Sequence, residues 1–91
     1  MSRNSDMTTV ETQVLLPAHL HARPAGRLVQ VASGFNSAVD IGFGAKSASA
    51  RSILAVLALG ATAGETVIVR ATGADADAAV SAVVRVLATA E

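Results

Sequence analysis

The amino-acid sequence predicts an α+β open sandwich, with helices covering one face of a mainly antiparallel sheet. Three observations point there. Segments of period-two and period-3.6 hydrophobicity follow one another in the order β-α-β-β-α-β-α. Each carries one apolar stripe, so two layers suffice to bury them all. The 91 residues contain neither an internal repeat nor a linker, which leaves room for one core.

The first strand is "TVETQVL", residues 9–15, where Val10, Thr12 and Val14 alternate with Thr9, Glu11 and Gln13. A helix follows beside His21: Ala22, Ala25, Leu28, Val29 and Ala32 fall at helical spacing, Arg23, Arg27 and Gln30 lie off that stripe, and Gly34 is the expected stop. In "AVDIGF", Val39, Ile41 and Phe43 share a face while Asp40 points away, and Gly44 can turn the chain into a short strand at residues 46–49. Ser52 precedes the apolar segment 53–59, closed by Gly60, as expected of a two-turn helix with a serine cap. "ETVIVRA", residues 65–71, is rich in β-branched residues and reads as a strand. "TGADADAAVSAVVRVLATA" reads as a terminal helix, with Asp75 and Asp77 at the positive end of its dipole and Ala76, Val80, Val83 and Leu87 on its buried side. Residues 1–6 are polar and patternless; a flexible extension is expected there, ahead of a single domain over residues 7–91.

Composition narrows the function. Seven basic residues balance seven acidic ones, so no broad field gathers nucleic acid or anionic lipid. Two aromatics, Phe35 and Phe43, do not make a base-stacking platform. Cysteine is absent, which excludes disulfides and thiolate metal sites and suits the cytoplasm. The apolar run 53–59 is too short to span a bilayer, and residues 1–7 do not resemble a secretion signal.

The chemistry gathers in "HLHARPAG", residues 19–26. A helix starting just after His21 puts that residue at the N-cap, where free backbone N–H groups and the positive end of the dipole converge. Pro24 falls in the first turn, where its missing N–H costs nothing and its fixed φ stiffens the helix start. Arg23 adds a permanent charge with several donors, so an oxyanion is welcome, phosphate above all. Two readings of His21 stand side by side: an ordinary polar cap, or a nucleophile whose neutral imidazole attacks phosphorus and whose phosphorylated form is met by charges already in place. A metal pair of His19 and His21 lacks a third ligand, and no serine or carboxylate completes a triad; no metal site is expected.

The run "LHARPA", residues 20–25, resembles the active-centre signature of HPr, the histidine-containing phosphocarrier of the phosphoenolpyruvate-dependent sugar phosphotransferase system. "FNSAVDI", "KSASARSILAVLALG" and "GADADAAV" resemble further segments of that family in the same order, so the likeness covers residues 7–91. It implies a four-stranded antiparallel sheet in order 1-4-2-3 covered on one face by three helices. It also implies a phosphocarrier rather than a stand-alone enzyme, needing no cofactor. Enzyme I would phosphorylate His21 on Nδ1, and enzyme IIA domains of sugar permeases would receive the group. Arg23 would be the active-centre arginine and Pro24 the conformational lock. Leu20, Arg27, Ile53, Leu54 and Leu57 would form the partner-binding surface. Ser52 matches a regulatory serine that a dedicated HPr kinase/phosphorylase modifies in many members, in some lineages recruiting a transcriptional regulator. A cytoplasmic monomer is expected, binding neither nucleic acid nor membrane.

Departures from the family pattern bear on this. His19 stands where glycine is usual, Ala18 where a small polar residue is common, and Ala55 where many relatives have glycine; "SAR", residues 49–51, is not the usual lead-in to the serine. Two rival functions use the same residues: a paralogue in a nitrogen-regulatory or dihydroxyacetone-linked phosphorelay, and an interaction protein acting through Ser52 alone.

Overall fold

The computed structural model describes residues 8–91; the expected extension at residues 1–6 lies outside them. The elements are β1 (Thr8–Leu15), α1 (Ala22–Ala32), β2 (Ala38–Phe43), β3 (Lys46–Ser49), α2 (Ile53–Ala58), β4 (Thr66–Gly73) and α3 (Ala76–Ala88). They form one antiparallel sheet in the order β1-β4-β2-β3, with the helices on one face. This is the architecture expected from the sequence.

Alternation decides which face is covered. Val14 in β1, Val39 and Ile41 in β2, and Val67, Val69 and Ala71 in β4 turn inward and are buried. From the helices, Leu28, Val56, Val83 and Leu87 meet them. Glu11, Gln13, Asp40, Ile68 and Arg70 turn to the uncovered side.

Two glycines make turns that other residues resist: Gly44, at φ +59, joins β2 to β3, and Gly60, at φ +69, follows α2. Gly34 does not act this way. Its φ is not positive, and α1 ends on Ser33, whose N–H and hydroxyl both donate to Val29 O. The stripe of α1 is also rotated from its expected place. Ala22 is exposed and Pro24 is buried in its stead, because the first turn leans its ring toward the end of α3.

Asp75 stands at the start of α3 as expected, but its side chain has a further role. It is the N-cap residue of α3, yet its carboxylate makes no cap bond. Instead it accepts from Asn36 N at 2.9 Å, Ser37 N at 2.8 Å and the Ser37 hydroxyl. Ser37 is the buried polar residue of the core, and this clamp satisfies it. The bonds hold the Asp75 carboxyl below its ordinary pKa, the Ser37 hydroxyl contributing most and the Asn36 amide next. Opposite them, Gly73 lets β4 pass so close that a Cβ there would meet Ser37 Oγ at 2.6 Å and Ser37 Cα at 2.8 Å.

Candidate functional site

The loop before α1 is tied down at both ends. Leu16 N donates to Glu65 O at 2.9 Å, Gly64 N to Leu16 O at 2.8 Å, and Leu20 N to Ala61 O at 3.1 Å. The segment across from it is itself fixed, since the Glu65 carboxylate accepts from Thr62 N and from the Thr62 hydroxyl, both at 2.8 Å. Those two bonds keep the Glu65 carboxyl below its ordinary pKa, the backbone one contributing more.

His21 is presented from this frame as the N-cap of α1, with extended backbone at φ −88 and ψ −169. Its carbonyl accepts from Ala25 N at 3.0 Å, which starts the helix. Its side chain makes no cap bond, so the ordinary polar-cap reading does not hold. The imidazole turns outward, where Nε2 meets Glu91 O at 3.2 Å. That main-chain oxygen can only accept, so Nε2 is the donor in this contact. Among the described residues, no hydrogen bond engages Nδ1.

The surroundings suit an anion. Ala25 N is occupied and Pro24 has no N–H, which leaves the amides of Ala22 and Arg23 at the mouth of the helix. The exposed side chains of Arg23 and Arg27, with Pro24, line a hollow of about 170 Å³ whose far wall is the end of α3, from Val86 through Thr89 to Glu91. Among the described residues the sole ion pair joins Glu11 to Arg70, so both guanidiniums of α1 await a counter-charge.

His19 lies exposed on the loop, and no residue other than glycine has a positive φ among the described ones. The loop has therefore taken a path that histidine tolerates. Leu20 is in the wrong place for a partner contact: at 5% exposure it belongs to the core, turned inward between its exposed neighbours.

Ser52 caps α2, its Oγ accepting from Ala55 N at 3.2 Å. Just before it, the Arg51 guanidinium donates to Phe35 O. Beyond it, Leu54 is 77% exposed and Ile53 39%, while Leu57 is half-buried. This apolar patch adjoins α1, because Ile53 Cδ1 lies 3.8 Å from where a Cβ of Gly26 would be. His21, Arg23 and the patch thus occupy one helical layer. The signals sequence reasoning missed were the Glu91 carbonyl, whose neighbourhood to His21 depends on how α3 packs, and the clamp at Asp75.

Known proteins share this fold. The PTS-HPr family profile, described as the PTS HPr component phosphorylation site, matches residues 8–89. HPr-C-His from Thermoanaerobacter tengcongensis superposes with a TM-score of 0.77 at 34% identity, over 89% of this chain and 91% of that one. A phosphocarrier protein HPr from Bacillus anthracis gives 0.77 at 31% identity, over 89% and 96%. Crh, a catabolite repression protein of Bacillus subtilis seen as a dimer with a swapped domain, gives 0.72 at 32% identity, over 81% and 85%.

Proposed function

The chain belongs to the HPr family of phosphotransferase-system phosphocarriers, and from that premise we propose that His21 takes a phosphoryl group from Enzyme I on Nδ1 and hands it to enzyme IIA domains in the cytoplasm. One observation carries the assignment to an atom. Nε2 is engaged by Glu91 O, which leaves Nδ1 as the ring nitrogen without a hydrogen bond among the described residues. In the forward step the Nδ1 lone pair forms a P–N bond as the bond between phosphorus and its donor breaks; in the return step the roles reverse. The Nε2 proton stays where it is throughout. The amides of Ala22 and Arg23 and the Arg23 guanidinium offset the charge of the phosphoryl oxygens. Because the site is open, they do so without burying the group, which a carrier must release. Pro24 holds the turn in shape between the two steps.

Docking falls to Ile53, Leu54, Leu57 and Arg27, with Leu20 acting from inside by supporting the loop. Ser52 serves as a control point. Phosphorylation by an HPr kinase/phosphorylase would set a dianion at the start of α2, which the helix end tolerates but an apolar docking partner does not. The likeness to Crh, a catabolite repression HPr, favours a second reading in which Ser52 alone conveys a signal, for instance to a transcriptional regulator. Retention of His21, Arg23 and Pro24 together speaks for transfer. A nitrogen-regulatory or dihydroxyacetone-linked relay would use the same centre with other partners.

The test is incubation with phosphoenolpyruvate, magnesium and Enzyme I, followed by intact mass before and after acid. An added phosphate that acid removes and that His21→Ala never acquires is the expected result. A label that survives acid, or persists in His21→Ala, would overturn the assignment.

A further inference from the structure

We propose that the uncovered face of the sheet is a weak self-association surface, on which a second copy of this chain lays its own sheet about a two-fold axis. Gly42 starts the argument. It sits inside β2, where glycine weakens a strand, and within its own fold nothing requires it. Its φ is not positive, and a Cβ built there would meet nothing closer than 3.9 Å. The missing side chain leaves a hollow of about 230 Å³ on the solvent side, lined by Glu11, Asp40, Gly42, Ser47, Ile68 and Arg70.

Register makes this hollow self-complementary. Across the β2–β4 pair Gly42 lies beside Ile68 and Asp40 beside Arg70, so a knob adjoins a hole and a cation adjoins an anion. A two-fold axis between two facing sheets, running along the strands midway between β2 and β4, sets the partner's β4 over β2. It carries the partner's Ile68 onto Gly42 and the partner's Arg70 onto Asp40, and each contact occurs twice. The crossing angle of aligned sheets, about 30°, displaces these positions little because they lie next to the axis. The groups are available. Ile68 is 40% exposed, Arg70 is held only by an exposed contact to Glu11 at 3.4 Å, and Asp40 has no ion-pair partner among the described residues.

Area sets the strength. Four strands spaced about 4.8 Å apart and about six residues long present on the order of 400 Å² per copy. A standard interface buries about twice that on each partner, so the contact is small and the association weak. When dilute, the carrier acts singly, as expected of it from the sequence. His21 and α2 lie in the helical layer, away from the contact, so association does not depend on the function proposed above.

Sedimentation equilibrium of the full chain from about 10 µM to about 1 mM tests the proposal. Wild type should associate within that range. Gly42→Val should weaken association at least tenfold while melting no lower than wild type, because valine suits a strand better than glycine does. Asp40→Arg and Arg70→Asp should each lose association, and their equimolar mixture should regain it, since the two pairs then form between unlike faces. Circular dichroism confirms that each variant is folded. Absence of association in wild type, its survival in both single charge variants, as an exchanged element would allow, or failure of the folded mixture to pair would overturn the proposal.

Discussion

Replacing Ser52 by alanine and by aspartate separates the structural duty of that side chain from its proposed regulatory one. The structural duty is the cap bond from Ala55 N, 3.2 Å long, at the start of a six-residue helix. Losing such a cap costs about 1 kcal/mol, and a domain of this size shifts its Tm by roughly 4–8 °C per kcal/mol. Ser52→Ala should therefore melt about 4–8 °C below wild type. Aspartate caps as well as serine and adds a charge that the dipole favours by about 0.3–1 kcal/mol, so Ser52→Asp should melt at or slightly above wild type. Phosphotransfer from Enzyme I should rank the two the other way. Alanine leaves Ile53 and Leu54 neutral-faced, and its KM should stay within about twofold at a temperature well below both midpoints. Aspartate puts a charge beside the patch that must be desolvated on docking, at a cost on the order of 1–2 kcal/mol, which raises KM about tenfold. The assay is a differential scan alongside initial rates at varied carrier concentration. Equal impairment of both variants, or an unchanged rate in Ser52→Asp, would refute the reasoning.

Gly73→Ala should cost about 3 kcal/mol or more in urea unfolding, because its Cβ would overlap Ser37 while the backbone sits at φ +149; a loss near zero would mean that β4 and Ser37 are not in contact. Acid should weaken the protein through the same clamp. The Asp75 carboxyl is depressed below its ordinary pKa of about 4, so its contribution is complete above that value and disappears as pH falls through the lower folded one. Asp75→Asn, compared by pH titration of stability, should flatten that acid limb. Leu54→Ala should leave Tm nearly unchanged, its side chain being mostly in solvent, yet raise KM for Enzyme I several-fold in the same rate assay.

Elements that declare themselves through neighbours in the chain were legible in the sequence. β1, β2 and β4 follow alternation that the sheet respects, and Ser52 and Gly60 bracket α2 by local geometry alone. The features not legible there answer to distant residues. Asp75 is placed by the sequence at the start of α3, where it stands, but its bonds to Ser37 come from across the fold and have no local signal. Leu20 sits in a polar motif, and only the pairing of its amide with Ala61 shows that the loop turns it inward. At the candidate site the motif singled out His21, while the contact of its Nε2 with Glu91 O depends on how α3 packs and left no trace in the sequence.

β1 is made well before the strand it pairs with. Its partner β4 pairs Gly73 with Thr8, so α1, β2, β3 and α2 must all be made before those amides find acceptors. Until then the β2–β3 hairpin, whose strands adjoin in sequence, is the one piece of sheet that can close early. The nascent polypeptide thus trails an unpaired ribbon through most of its synthesis, and refolding should be slow relative to helical proteins of equal length.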